Sequence, residues 1–199
     1  LDMTSKMYSY AVYHKVARLH CEHINQGFLA TLGPPFLALL YEAIDQGEDS
    51  TLIVKEVDGN VVGFVSGAAS LRPIYKRLLF RPFSLFIALI SCFLSLSKLL
   101  KIIEILRISK NNPVLKGLPR HELLTIVVDP QYQGQGHAED LFSSLCSYFK
   151  AVNVANFKIV VGGDLARAHA FYLKMGCAVA GEIEVHKGKD SLVYVRQCI

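Results

Sequence analysis

Apolar residues along this chain follow two periodicities, and the changes from one to the other mark out most of its elements. The run Leu123-Leu124-Thr125-Ile126-Val127-Val128 is rich in β-branched residues and ends at Asp129-Pro130, which predicts a buried strand stopping near Val128. Past the glycines at 134 and 136, Ala138, Leu141, Phe142, Leu145, Cys146 and Phe149 recur at spacings of three and four. That spacing predicts a helix over 136–151 with one buried face. Upstream, Val12, Val16, Leu19 and His20 predict a short helix after an initial strand around 7–11, and Pro34-Pro35 opens a second helix through Leu37, Leu39, Leu40, Ala43 and Ile44. Residues 51–56 and 60–68 read as strands joined by Val57-Asp58-Gly59-Asn60, where Asp-Gly is a hairpin signal. Toward the end come a strand over 157–161, a helix over 165–174, a strand near 177–185 and a last strand around 191–197. The order is mixed α/β, and residues 1–199 are expected to form one domain without internal repeats or linkers.

The strand-to-helix junction carries candidate chemistry. Gly134 and Gly136 lack Cβ atoms, so the backbone can turn tightly there and bring N–H groups close to an anion. The first helical turn adds unpaired donors and the positive end of the helix dipole, and together these make a nest suited to a pyrophosphate. Two familiar nucleotide loops are excluded: a Walker loop ends in Gly-Lys-Ser/Thr, whereas here the glycines lead into His137-Ala138-Glu139, and a dinucleotide fingerprint needs a third glycine where Glu139 stands.

Gln133-x-x-Gly136-x-Ala138 resembles the Arg/Gln-x-x-Gly-x-Gly/Ala motif of the GCN5-related N-acetyltransferases. Downstream, Ala168-x-x-Phe171-Tyr172-x-x-Met175-Gly176-Cys177 resembles that superfamily's Asn-x-x-Ala-x-x-Phe-Tyr-x-x-x-Gly-Phe block, with Leu165 in place of the asparagine and Cys177 in place of the final phenylalanine. The resemblance implies a mixed, mostly antiparallel sheet flanked by helices, and acetyl-CoA as cosubstrate. It implies that Ile126, Val127 and Val128 offer an N–H to the developing oxyanion, and that Gln133, Gly134, Gln135, Gly136, His137 and Ala138 offer amides to the pyrophosphate. It further implies Glu122 as general base and Tyr172 as the acid for the departing thiolate; His121, beside Glu122 and with an ordinary pKa near 6.5, is the reserve base on its own chemistry. Arg167 and Lys174 are within possible reach of phosphates but read more simply as solvated helix-face charges. The apolar settings of Cys146 and Cys177 disfavour an acetyl-cysteine route. The expected reaction is transfer of acetyl to a primary amine of a small molecule such as an amino sugar, polyamine or amino-acid derivative. A protein N-terminus or lysine is the alternative acceptor, and a non-catalytic acyl-CoA-binding module is the alternative class.

Set against that family's compact plan, residues 71–120 form a helical insertion, expected between the third and fourth strands. Residues 83–97 are uncharged, but the run stops at Lys98, short of the roughly 20 residues that span a bilayer. A helical hairpin packed on the domain or on a second copy is the preferred reading, with membrane-surface contact as the alternative. Composition adds little. The chain has 21 Lys and Arg against 17 Asp and Glu, a net +4 without a basic run, so nucleic acid is not called for. Five scattered cysteines with no Cys-x-x-Cys pair indicate neither a disulfide framework nor a metal site, and with no export pattern at the start a cytoplasmic setting is expected.

Overall fold

The computed structural model describes residues 7–24, 29–93, 117–186 and 189–198. Helices α1 (Tyr10–His23) and α2 (Pro34–Asp45) lead into a hairpin of β1 (Ser50–Val57) and β2 (Asn60–Ala68); α3 (Leu71–Leu79) and α4 (Pro82–Phe93) follow. Then come β3 (Glu122–Val128), α5 (His137–Ala151), β4 (Asn156–Gly162), α6 (Ala166–Lys174), β5 (Ala178–His186) and β6 (Lys189–Gln197). The strands form one sheet in the order β1-β2-β3-β4-β6-β5, antiparallel at every junction except β3–β4.

Alternation along the strands sorts side chains onto two faces, and each face has its own core. Phe64, Ala68 and Val127 join Tyr13, Val16, Leu37 and Tyr41 beneath α1 and α2, with Ile74, Leu78 and Ala88 of α3 and α4 in the same cluster. Val65, Leu123 and Val128 join Leu141, Leu145, Phe149 and Tyr172 beneath α5 and α6. Gly67 lets α5 settle on β2, because a Cβ there would lie 2.8 Å from the Phe149 ring.

The expected hairpin forms, and Asp58 and Gly59 both take positive φ, as a two-residue turn of this hand requires. The strand expected at 7–11 does not form. Ser9 stands at the N-cap position and helical structure begins at Tyr10, so only Met7 and Tyr8 of that stretch precede the cap among the described residues. Tyr8 meets the β1 edge through its side chain instead, its hydroxyl accepting from the Val54 N–H at 3.2 Å. In the observed count α3 and α4 fall between the second and third strands, and residues 94–116 of the expected insertion lie outside the described set.

The helical layer buries a titratable group. His20 of α1 is 5% exposed, and its Nδ1 lies 2.6 Å from the Tyr41 hydroxyl of α2. Desolvation pushes its pKa from 6.5 down to about 4. The unfolded chain therefore binds a proton between those values that the folded one does not, and stability falls as pH drops from about 6.5 to about 4, by about 3 kcal/mol from this group. Urea unfolding at pH 7, 5.5 and 4.5 should show that loss, and His20→Gln should flatten the profile relative to the wild type.

Candidate active site

The site is laid out along β3. Its register against β2 pairs Thr125 with Ser66 but Leu123 with Gly67, leaving Leu124 as an extra, bulged residue. The bulge reverses the alternation, so Leu123 and Val128, five positions apart, share the α5 face, which an unbroken strand forbids. It also reverses the hydrogen-bonding edges. Asp129 donates to Val62 on the β2 side at 2.8 Å, so Val127 and Thr125 bond on that side while Ile126 and Val128 turn their backbone groups toward β4.

Among the described residues no strand receives them there. β3 and β4 pair only at Glu122 with Lys158 and at Leu123 with Ile159, and then part. The slot so formed is bordered by the exposed edges of Ile126 and Val128, and the side-chain amide of Gln133 reaches into it to donate to the Val128 carbonyl at 3.1 Å.

Immediately beyond, the chain builds the anticipated nest. Asp129 accepts from the Gln131 N–H at 2.9 Å and starts a tight turn over Pro130–Tyr132. Gly134 and Gly136 take φ of 76° and 85°, and Gly136 is the left-handed N-cap of α5. Nothing lies within 4 Å of where a Cβ on either would be. Glycine is therefore required by the backbone and leaves open space above it, the opposite of Gly67. Among the described residues the N–H groups of Gly134, Gln135, Gly136, His137 and Ala138 donate to no backbone carbonyl, the first bond of α5 being Asp140 to Gly136 at 3.0 Å. The nest and the slot are contiguous, so the site residues from Ile126 to Ala138 are brought together.

Charge around the nest is balanced. Glu139 and Asp140, in the first turn of α5, would repel an anion, but Lys174 lies 2.8 Å from Glu139 and Lys55 lies 2.7 Å from Asp140. Those lysine hydrogen bonds hold both carboxyls below their ordinary range. Lys174 thus serves a carboxylate, and Arg167 is exposed on α6. Both ring nitrogens of His137 are buried without a hydrogen-bond partner, and the ring sits 6.3 Å from that of Tyr132.

Glu122 stands at the other end of β3, six residues from Val128 or ~20 Å along the strand. It lies opposite Ala68, which places its side chain on the face of α1 and α2. His121 turns the other way, its ring 5.4 Å from Phe149 under α5, and burial lowers its pKa. The two candidate bases are therefore on opposite faces of the sheet. Tyr172 is buried against Phe142, Phe171 and Tyr194, and desolvation, with Cys177 adding, raises its phenol well above the ordinary value. Burial also pushes Cys177 up to about 11 and raises Cys146, so neither thiol is a ready nucleophile. Leu165 occupies the N-cap of α6 without a side-chain cap bond and is 39% exposed.

Two polar arrangements escaped the sequence reading. Lys158 of β4, only 8% exposed, sits 3.3 Å from the Glu122 carboxylate and donates to the carbonyls of Pro119 at 3.0 Å and Arg120 at 3.4 Å. On the same face, the Tyr41 hydroxyl is bonded to His20, while Ser66, opposite Thr125, is wholly buried with an unpartnered Oγ. A charged residue inside an otherwise apolar strand was the one available signal for Lys158, and it needed the β3–β4 register to be read.

The fold resembles those of solved structures. An N-acetyltransferase from Staphylococcus aureus Mu50 is 14% identical, with 98% of this chain and 97% of that one covered at a TM-score of 0.62. The protein yncA of Salmonella typhimurium, in complex with its cofactor acetyl-CoA, is 13% identical, with 98% and 92% covered at 0.61. Ard1 from Thermoplasma volcanium is 15% identical, with 96% and 95% covered at 0.58. At such identities the likeness is one of fold. No curated protein matches the sequence significantly. The model of the acetyltransferase (GNAT) family matches residues 21–177, which include α2, both halves of the sheet junction, the nest and Tyr172, and the chain belongs to that family.

Proposed function

We propose that this acyltransferase uses acetyl-CoA to acetylate a primary amine of a small molecule, an amino sugar, polyamine or amino-acid derivative, by direct attack within a ternary complex. The observation that carries the reading is the continuity of unpaired N–H groups from Gly134 through Ala138 with the open edge of β3 at Ile126 and Val128. The residues fit the cofactor. The nest suits a pyrophosphate, and the open edge suits an amide-bearing arm that pairs as a strand would. Acetyl-CoA, when bound, supplies an acyl group already activated as a thioester.

The protein's own residues handle charge and protons. A backbone N–H of Ile126 or Val128 is directed into the slot, where it stabilises negative charge forming on a carbonyl oxygen without reorganising. Glu122, four residues along β3 from Ile126, takes the proton from the ammonium of the incoming amine through water, leaving the nitrogen lone pair free. The Lys158 ammonium beside it keeps a positive charge on the carboxylate's flank and fixes the side chain. Tyr172 holds its proton across the neutral range because it is buried, and gives it from Oη to the departing thiolate sulfur.

Thermal unfolding with and without acetyl-CoA tests the reading. At 100 times the dissociation constant a ligand adds about 2.7 kcal/mol, which for a chain of this size moves the midpoint by roughly 5–10 °C. Absence of any shift at millimolar cofactor would reduce the nest to a structural turn. A shift justifies screening amines for turnover.

A further inference from the structure

Among the described residues, helices α3 and α4 are covered on one side only. Ile74, Leu78 and Ala88 enter the core against α2, and Arg81 pairs with Glu42 of α2 at 2.7 Å. Outward, at the corner where α3 gives way to α4, stand Leu79, Phe80 and Phe83, the two phenylalanines each 76% exposed, with Ile87 one turn further on. Burying such rings on folding is ordinary, and leaving several together at a corner is not. Around them Arg72 and Lys76 are exposed cations, while Arg77 donates to the Gln46 carbonyl and Arg81 is taken up by Glu42, and the sequence contains no Asp or Glu from Gly59 to Ile103. Lys76 lies over the Phe80 ring, 5.8 Å from its centroid, so cation and aromatic share one outward surface.

We infer that this corner docks on the surface of an anionic lipid bilayer. Apolar rings at the tip enter the boundary between headgroups and chains while the flanking cations face lipid phosphates, the arrangement of a helix lying in the interface. No helix among the described residues is long and apolar enough to cross a membrane. A protein partner is disfavoured because exposed cations beside apolar rings, with no acidic residue on α3 or α4, match a sheet of phosphates over apolar chains more closely than a mixed protein surface. The inference is independent of the acetyl-transfer reading.

Flotation of the full chain with two vesicle populations tests it: phosphatidylcholine alone, and phosphatidylcholine with ~30% phosphatidylglycerol. The protein should float with the anionic vesicles and stay at the bottom with the neutral ones. Phe80→Ser with Phe83→Ser should abolish flotation with an unchanged thermal midpoint, because both rings are outside the core. Arg72→Glu with Lys76→Glu should weaken partitioning at least 25-fold, each near-surface cation being worth about fivefold. Protein that stays at the bottom with both populations, or floats equally with both, overturns the inference. So does sedimentation showing a wild-type dimer that Phe80→Ser with Phe83→Ser converts to monomer, which would assign the corner to a second copy.

Discussion

Gly136→Glu should abolish the acetyl-CoA thermal shift and raise the cofactor's dissociation constant on the order of 100-fold or more. Three effects act together. Gly136 has φ 85°, and a non-glycine residue there costs about 1–2 kcal/mol of backbone strain, which tilts the neighbouring N–H groups. The open space above it, where no protein atom lies within 4 Å of a Cβ, becomes filled. A carboxylate then occupies the mouth of the nest, and losing two charge-assisted bonds of about 1.5–3 kcal/mol each accounts for the 100-fold. Gly59→Glu is the matched control. It has φ 74°, equally open surroundings and the same change of charge, but it lies in the β1–β2 turn and belongs to no part of the nest. Calorimetric titration of both variants separates the outcomes: equal affinity for Gly136→Glu and Gly59→Glu would mean that the nest does not hold the cofactor.

Glu122→Gln should lower kcat by about 10²-fold or more while leaving the acetyl-CoA shift intact, the loss expected when a positioned base is removed. Glutamine keeps the size and one acceptor for Lys158 but cannot take a proton. Tyr172→Phe should lower kcat at least tenfold, again without loss of cofactor binding, because the ring remains in its aromatic cluster and only the hydroxyl leaves. Single-turnover and steady-state rates with any amine that proves to be an acceptor give both numbers. If neither substitution changes turnover by tenfold, these residues have no part in the chemistry. A chain that binds acetyl-CoA and turns over no amine would be an acyl-CoA-binding module, the class toward which the uncapped Leu165 leans.

Sequence reading reached what is decided locally. The Asp58-Gly59 turn, the Asp129-Pro130 stop and the Gly134 and Gly136 cradle each rest on the conformational preferences of one or two residues, and each forms where the pattern places it. The strand expected at 7–11 failed for an equally local reason: the helical spacing of Tyr13, Val16 and Leu19 extends back to Tyr10, with the Ser9 carbonyl accepting the first bonds, and overrides a short alternation. What lay out of reach depends on pairing. The bulge at Leu124 exists only relative to Ser66 and Gly67, and it decides which amides enter the slot. The contact between Lys158 and Glu122 follows from a parallel register between strands separated by a helix, which no pattern within either strand encodes.

The brevity of the β3–β4 junction has a mechanical consequence. β1-β2-β3 and β4-β6-β5 are each drawn from a contiguous stretch of chain, and two residue pairs join them along a seam. Two plates hinged at one end are stiff against sliding and compliant against opening, so the seam concentrates the flexibility of an otherwise continuous sheet. A molecule pairing with the free edge works there as a stitch. Such a molecule would tie the two halves at the end where the ladder does not, adding to the core of Leu123, Val128, Phe157 and Ile159 that joins them beneath α5.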